Sequence, residues 1–89
     1  MAQPDHICPV CGYELSEPAW VDDVGGSFEI CDSCGIQFGY EDAAGGDLVL
    51  RAARWREWRE AWIADGVPWR GVGRPPSDFD PELQLARLG

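Results

Sequence analysis

Apolar and polar residues alternate along two short stretches, residues 27–30 and 36–40. A repeat of two is the period of a half-buried strand, and glycine pairs at 25–26 and 45–46 interrupt the chain on either side. The pattern therefore predicts two strands paired as a β-hairpin. The alternating apolar positions are Phe28, Ile30, Ile36, Phe38 and Tyr40.

A helical repeat follows over residues 47–65. Asp47 is a typical N-cap, Gly66 a typical stop signal, and Pro68 follows two residues later. At 100° per residue one stripe of the helix is apolar, which predicts that it packs on the hairpin as the core. The stripe consists of Leu48, Ala52, Trp55, Trp58 and Trp62. The alternative is a partner-binding face, because Arg51 and Arg59 fall on the same side and arginine stacks on indole rings.

The last segment, residues 66–89, is rich in glycine and proline and predicts an extended, wrapping tail. Asp80 followed by Pro81 indicates the start of a short helix with Leu85 and Leu88 on its apolar side. Trp69 and Phe79 are expected to anchor the tail, or to be contact residues if they are exposed. The whole chain, residues 1–89, is predicted to be a single domain with segments 1–46, 47–65 and 66–89. The candidate partner-binding residues are Trp55, Trp58, Trp62 and Trp69.

Four cysteines form two CxxCG units separated by nineteen residues: Cys8 and Cys11, then Cys31 and Cys34. This spacing is typical of a four-thiolate zinc site, and a glycine after each pair allows the positive φ of a sharp turn. A small core of this size supplies only about 3–5 kcal/mol, so a further stabilising element is expected. Structural zinc contributes roughly 10–16 kcal/mol of apparent binding free energy. Four free buried cysteines, or a thioredoxin-like dithiol, are the weaker interpretations.

Zinc is the expected metal and iron the alternative. The segment CPVCGY and the second CxxCG resemble the paired knuckles of rubredoxins, in which iron carries one electron. A zinc ion with four thiolates has no open position for water or substrate, so its role would be structural.

Charge is distributed unevenly. The first fifty residues contain ten carboxylates and no arginine or lysine, whereas the remainder contains six carboxylates and all seven arginines, for a net charge of −9. Nucleic acid is therefore an unfavourable partner, and a basic protein is a favourable one. The oligomeric state is left open, since exposed indoles could also pair two copies of the chain.

The amino terminus has no basic region followed by an apolar run, and no stretch is long enough to span a membrane, so we expect a cytoplasmic protein without membrane contact. Disulfides are rare in that compartment, which also favours metal. No combination of residues typical of catalysis is present, and the chain is predicted not to be an enzyme. The acidic residues Asp22, Asp23, Glu41 and Asp42 are expected to be solvated loop residues.

The segments CPVCGYELSEP and GSFEICDSCGIQFGYED resemble the cysteine-rich CPCC-type zinc-ribbon proteins of bacteria. The helix WREWREAWIADGVPW and the later DPELQL segment are similar to one branch of that group. The resemblance implies a zinc-ribbon, rubredoxin-like hairpin and places the ligands at the four cysteines. Val10 and Ser33 stand in the knuckles where such proteins often have an extra cysteine.

Some proteins of this kind are encoded beside secreted toxins, so the resemblance also implies an immunity protein that inhibits a basic toxin domain. The expected fold is thus small α+β: a zinc-ribbon hairpin with two CxxCG knuckles, one amphipathic helix packed on it, and an extended tail with a short helix. The expected function is that of a non-enzymatic, zinc-binding interaction module. An iron electron carrier is the first alternative, and a nucleic-acid-binding zinc ribbon is the second.

Overall fold

A computed structural model describes residues 6–22 and 25–88. In chain order these residues form a short 3-10 helix, Ala44–Gly46, then α1, Leu48–Ala64, and α2, Pro81–Ala86. Turns, bends and irregular chain connect these elements. The N-terminal residues 1–5, residues 23–24 and Gly89 of the predicted domain lie outside the described part.

The predicted zinc-ribbon, rubredoxin-like β-hairpin is wrong. The described residues contain no β-strand, only the isolated antiparallel bridges Ile7 to Glu14, Trp20 to Gly26 and Ile30 to Gln37. The reason lies between residues 27 and 40, where Phe38 bonds with two consecutive residues: its carbonyl accepts from Phe28 N, and its amide donates to Glu29 O.

This two-to-one pairing interrupts the ladder in the same way as a β-bulge. Phe28 at φ +61° and Gly39 at φ +84° then take the chain out of the extended region on both sides. The alternation of apolar and polar residues therefore does not determine which apolar side chains are buried. Ile36 and Phe38 are buried, whereas Phe28, Ile30 and Tyr40 are exposed.

The predicted long helix is confirmed. The Asp47 carboxylate accepts hydrogen bonds from the amides of Val49 and Leu50, which lack partners inside the first turn. After Ala64 the chain leaves the helix through Gly66 at φ +92°, which a glycine adopts without strain.

The face that α1 buries differs in part from the predicted stripe. Trp62 is buried and Trp55 and Trp58 are half-buried against the core, but Leu48 is exposed. Arg51 takes the inner position of the first turns instead. Its side chain is buried over the ring of Trp20, 3.5 Å from the ring centroid, and donates from Nε to the carbonyl of Asp42.

The short helix predicted in the tail is confirmed as α2, with Asp80 accepting from the amide of Leu83 and Pro81 in the first turn. Before it, Trp69 lies edge-on between Tyr13 and Phe79, with ring centroids 5.5 and 5.2 Å apart. These contacts tie the tail to the first half of the chain, as expected of Trp69 and Phe79.

The core is small and is centred on sulfur. Its buried members are the four cysteines together with Val10, Ala19, Ile36, Phe38 and Trp62. Neither of the helices in the described residues is long and apolar enough to cross a membrane.

Candidate metal centre

The four cysteine sulfurs meet at one point in the core. Their Sγ atoms all lie within 4.8 Å of one another, with 3.8 Å between Cys8 and Cys34 and 3.6 Å between Cys11 and Cys31. A tetrahedral zinc ion with Zn–S bonds of about 2.3 Å places its sulfurs about 3.8 Å apart. The residues present therefore fit a metal ion bound by four thiolates.

The first knuckle (residues 8–12) and the second knuckle (residues 31–35) have the same hydrogen-bonded turn. Gly12 N donates to Cys8 O and Gly35 N donates to Cys31 O, at 2.8 and 2.7 Å. Around each turn, the amide of the first cysteine donates to the residue after the glycine: Cys8 N to Tyr13 O and Cys31 N to Ile36 O. Both glycines have positive φ, +77° and +81°. The glycines predicted from the sequence are thus confirmed in their role.

Side chains from α1 and α2 cover the carbonyls of the first knuckle. Arg59 donates from Nε to Val10 O at 2.6 Å and from an Nη atom to Pro9 O at 2.8 Å. From the region of α2, Arg87 donates to Gly12 O and Gln84 to Cys11 O. Each outward-facing carbonyl of this turn therefore has a hydrogen-bond donor. These bonds hold the backbone of the turn and thereby the positions of its two sulfurs.

The second knuckle is covered differently. Trp58 Nε1 donates to Cys34 O at 2.8 Å, and the backbone amide of Arg70 lies within bonding distance of the carbonyls of Asp32 and Ser33. The Ser33 hydroxyl accepts from Gln84 Nε2 at 3.0 Å, so the same glutamine contacts both knuckles.

The thiols have conflicting proton affinities. Burial raises the pKa of Cys8 well above its ordinary value, and hydrogen bonding with Cys11 raises the pKa of Cys34. Hydrogen bonding from Cys31 in turn lowers the pKa of Cys11. Four buried sulfurs cannot all carry negative charge at this separation without a cation, and a divalent metal ion stabilises all four as thiolates.

The four cysteines are 2% exposed or less, and four sulfurs are enough to complete a tetrahedral shell around an ion. This donor set suits zinc and also suits iron, since both bind four cysteines in small proteins.

The four candidate partner-binding tryptophans do not form one exposed stripe. Trp62 is buried and donates to Pro68 O, and Trp55 donates to the Asp42 carboxylate. Trp69 is held in the aromatic cluster with Tyr13 and Phe79, and its buried indole Nε1 has no hydrogen-bond partner among residues 6–22 and 25–88. Trp58 differs from the other three because it lines two surface cavities, of about 420 and 360 Å³.

Asp42 is a structural residue, and the prediction that it is a solvated loop acid is wrong. Its side chain is fully buried and accepts hydrogen bonds from Trp20 Nε1, Trp55 Nε1 and the amide of Gly39. The two tryptophans were the available signal, since a buried indole requires an acceptor. Of the other acids in that prediction, Asp22 is exposed, and Asp23 lies outside the described residues.

Gln84 was also missed. It is buried, and its carboxamide joins Cys11 O and the Ser33 hydroxyl. A polar residue on a short predicted helix gave no local sign of this role, because its two partners in the knuckles lie 73 and 51 positions away in the sequence.

Comparison with known proteins identifies one relative of comparable size. The chain is 29% identical over 93 aligned positions to the protein named "Uncharacterized protein YoaQ" of Bacillus subtilis (strain 168). The alignment covers 94% of this chain and 75% of that protein. No family model and no solved structure matches the chain.

Proposed function

We propose that this chain is a non-catalytic, metal-stabilised module for protein contacts, in which Cys8, Cys11, Cys31 and Cys34 bind one Zn²⁺ ion. The observation that carries the proposal is the convergence of four buried sulfurs within 4.8 Å of one another, on two matched turns. Four buried sulfurs at this separation are typical of a structural zinc site and are not expected of free thiols.

A structural role for the ion agrees with the surroundings of the sulfurs. The ligands are buried, and both knuckles are covered by donors from remote parts of the chain. Chemistry at a metal requires a coordination position that water or substrate can enter, and a complete set of four thiolates leaves none. Iron bound in the same way would act as an electron carrier, which is the alternative that the metal analysis below tests.

Protein contact is the favoured activity because of the surface charge. The chain has a net charge of −9, and its first fifty residues contain no lysine or arginine. Such a surface attracts basic proteins and repels nucleic acids. The narrower hypothesis of an immunity protein for a basic toxin domain stays a prediction from the resemblance to CPCC-type proteins.

Native mass spectrometry of freshly purified protein, combined with elemental analysis, tests the metal. We expect one zinc per chain. When a chelator removes the zinc, α1 should unfold and its circular dichroism signal should be lost. Ser16→Ala, an exposed substitution near the first knuckle, is the control and should retain the ion. A metal-free chain that stays folded would overturn the proposal. One iron per chain with visible thiolate-to-iron absorption would overturn the zinc proposal in favour of the electron carrier.

A further inference from the structure

Three large apolar side chains around the second knuckle are exposed to solvent. Phe28, Ile30 and Tyr40 are 62%, 60% and 73% exposed. Gln37 connects them: it pairs with Ile30, its Nε2 donates to Phe28 O, and its carbonyl accepts from Tyr40 N. We refer to Phe28, Ile30 and Tyr40 as the apolar patch. The backbones that carry the three side chains are therefore neighbours, and large apolar side chains exposed on neighbouring backbone are typical of a contact surface.

The backbone at Phe28 is strained, and burial of its ring offsets little of that strain because the side chain is mostly exposed. Its φ of +61° lies in the left-handed region, which bulky residues rarely adopt. The ring lies over Gly39, where a Cβ would sit 3.3 Å from it. Backbone strain that holds an apolar ring in solvent does not stabilise the fold. Strained residues of this kind concentrate at functional sites.

A cleft begins beside the apolar patch. Glu41 follows Tyr40, accepts a hydrogen bond from the amide of Gln37, and lines one side of a cavity of about 360 Å³. We refer to this cavity as the Glu41 cleft. The other residues of its lining are Ile36, Arg54, Glu57, Trp58 and Ala61.

The lining combines apolar side chains with two carboxylates, and this combination suits one type of side chain. The aliphatic stem of a lysine or arginine packs on Trp58 and Ala61, and its cationic head lies near Glu41 and Glu57. Arg54 lines the same cleft, so one positive charge of the chain itself lies in the lining that holds the two carboxylates.

The charge around the apolar patch selects its occupant. Glu29 lies between Phe28 and Ile30, Glu41 follows Tyr40, and no basic residue occurs before Arg51. A second copy of this chain, with a charge of −9, brings like charge to the surface, and a nucleic acid does the same. Charge complementarity therefore favours a basic protein segment.

We propose that the apolar patch and the Glu41 cleft form one docking surface for a basic amphipathic segment of another protein. Apolar side chains of that segment pack on Phe28, Ile30 and Tyr40, and one lysine or arginine enters the Glu41 cleft. This inference rests on the proposed function and names the surface that performs it.

The test is a titration of the zinc-loaded full chain with a short synthetic amphipathic peptide of leucine and lysine, followed by two-dimensional NMR. We expect saturable binding, with shifts concentrated at the amides of Phe28, Ile30, Tyr40 and Glu41 and at the Trp58 indole. The same peptide with glutamate in place of lysine should not bind. Shifts that map elsewhere, or equal binding of the acidic peptide, would overturn the docking surface.

Surface variants separate this site from general attraction to an acidic protein. The double substitution Phe28→Ser with Tyr40→Ser should weaken binding about tenfold or more, because aromatic anchors dominate interfaces. Val72→Ser removes a fully exposed apolar side chain outside the patch and should change nothing. If both variants bind like the unmodified protein, the patch is not the site.

Charge variants test the Glu41 cleft in both directions. Glu57→Gln should weaken binding about threefold, whereas Glu60→Gln, which removes the same charge from an exposed position of α1, should leave it unchanged. Arg54→Ala should strengthen binding, because it removes the competing cation. Equal effects of the two glutamate variants would contradict a defined site.

The two proposals fail separately. A zinc-loaded, folded protein that does not bind the peptide at the patch leaves the structural metal intact and removes the docking surface. A folded protein without metal removes the proposed zinc module, whatever the peptide does.

Discussion

The two knuckles have the same local backbone and different supports. Residues 8–12 and 31–35 make matching turns, each closed by a glycine amide on the first cysteine's carbonyl. Charged and polar side chains from the helical half, above all Arg59 and Arg87, cover the first knuckle. The indole of Trp58 and the backbone amide of Arg70 cover the carbonyls of the second. The comparison shows that a CxxCG sequence determines the turn, whereas the surrounding chain determines how much substitution each turn tolerates.

The largest expected effect makes no distinction between the knuckles. Cys8→Ser and Cys34→Ser each remove one of four ligands to a shared ion, and metal binding is worth roughly 10 kcal/mol or more in sites of this kind. Because the core is small, we expect both variants to be unfolded at room temperature, as judged by circular dichroism and tryptophan fluorescence. If one of them folds like the unmodified protein, the knuckles do not share an ion.

The next effect separates the knuckles sharply. A Cβ at position 12 would overlap the backbone carbonyl of Gln84, whereas one at position 35 would meet the Cβ and Cγ atoms of Arg70 at 3.3 Å, a tight contact without overlap. Both alanines are strained by positive φ, at a cost of roughly 1–2 kcal/mol. Overpacking against the backbone adds about 1–3 kcal/mol at Gly12.

Chemical denaturation of zinc-loaded Gly12→Ala and Gly35→Ala measures this difference in the free energy of unfolding. Gly66→Ala is the control, because that glycine has positive φ with no atom near its Cβ position. It should behave like Gly35→Ala. Equal losses at positions 12 and 35 would mean that α2 does not pack on the first knuckle as described.

The sequence predicted the features that depend on nearby residues. Asp47 and Gly66 bound α1 because capping acts within one turn, and the cysteine spacing predicted that the four thiols converge because each CxxC pair is a local unit. The hairpin was wrong because alternation carries no information about the left-handed backbone at Phe28. The contacts of Gln84 with the two knuckles were not predictable either, since Cys11 and Ser33 are distant from it in sequence and only the folded chain brings them together.

Arg59 tests the support of the first knuckle from α1. Its removal leaves the carbonyls of Pro9 and Val10 without their donors, and unpaired buried acceptors cost about 1–3 kcal/mol each when water cannot reach them. Since Arg59 is only partly buried, we expect a total loss of about 2 kcal/mol for Arg59→Ala. The exposed Arg56→Ala on the same helix should lose less than about 0.5 kcal/mol.

Trp58→Phe is the matching change at the second knuckle, where it removes the indole N–H that donates to Cys34 O. We expect a loss of about 1 kcal/mol, near the usual value of one hydrogen bond. Thermal or chemical unfolding of both zinc-loaded variants gives the order. A larger loss for Trp58→Phe than for Arg59→Ala would show that the second knuckle, and not the first, depends more on α1.

The smallest expected effect comes from the cap of α2. Asp80 accepts from the amide of Leu83 at the start of this helix, and its replacement by alanine typically costs about 1 kcal/mol. Because α2 carries Gln84 and is followed by Arg87, loosening it withdraws donors from Cys11 O and Gly12 O. At the second knuckle it affects only the Ser33 hydroxyl.

Native-state hydrogen exchange should therefore show a greater loss of protection at the amide of Gly12 than at that of Gly35. Equal losses at both amides would mean that the metal couples the knuckles so tightly that they open together, and their different supports would then have no separate energetic effect.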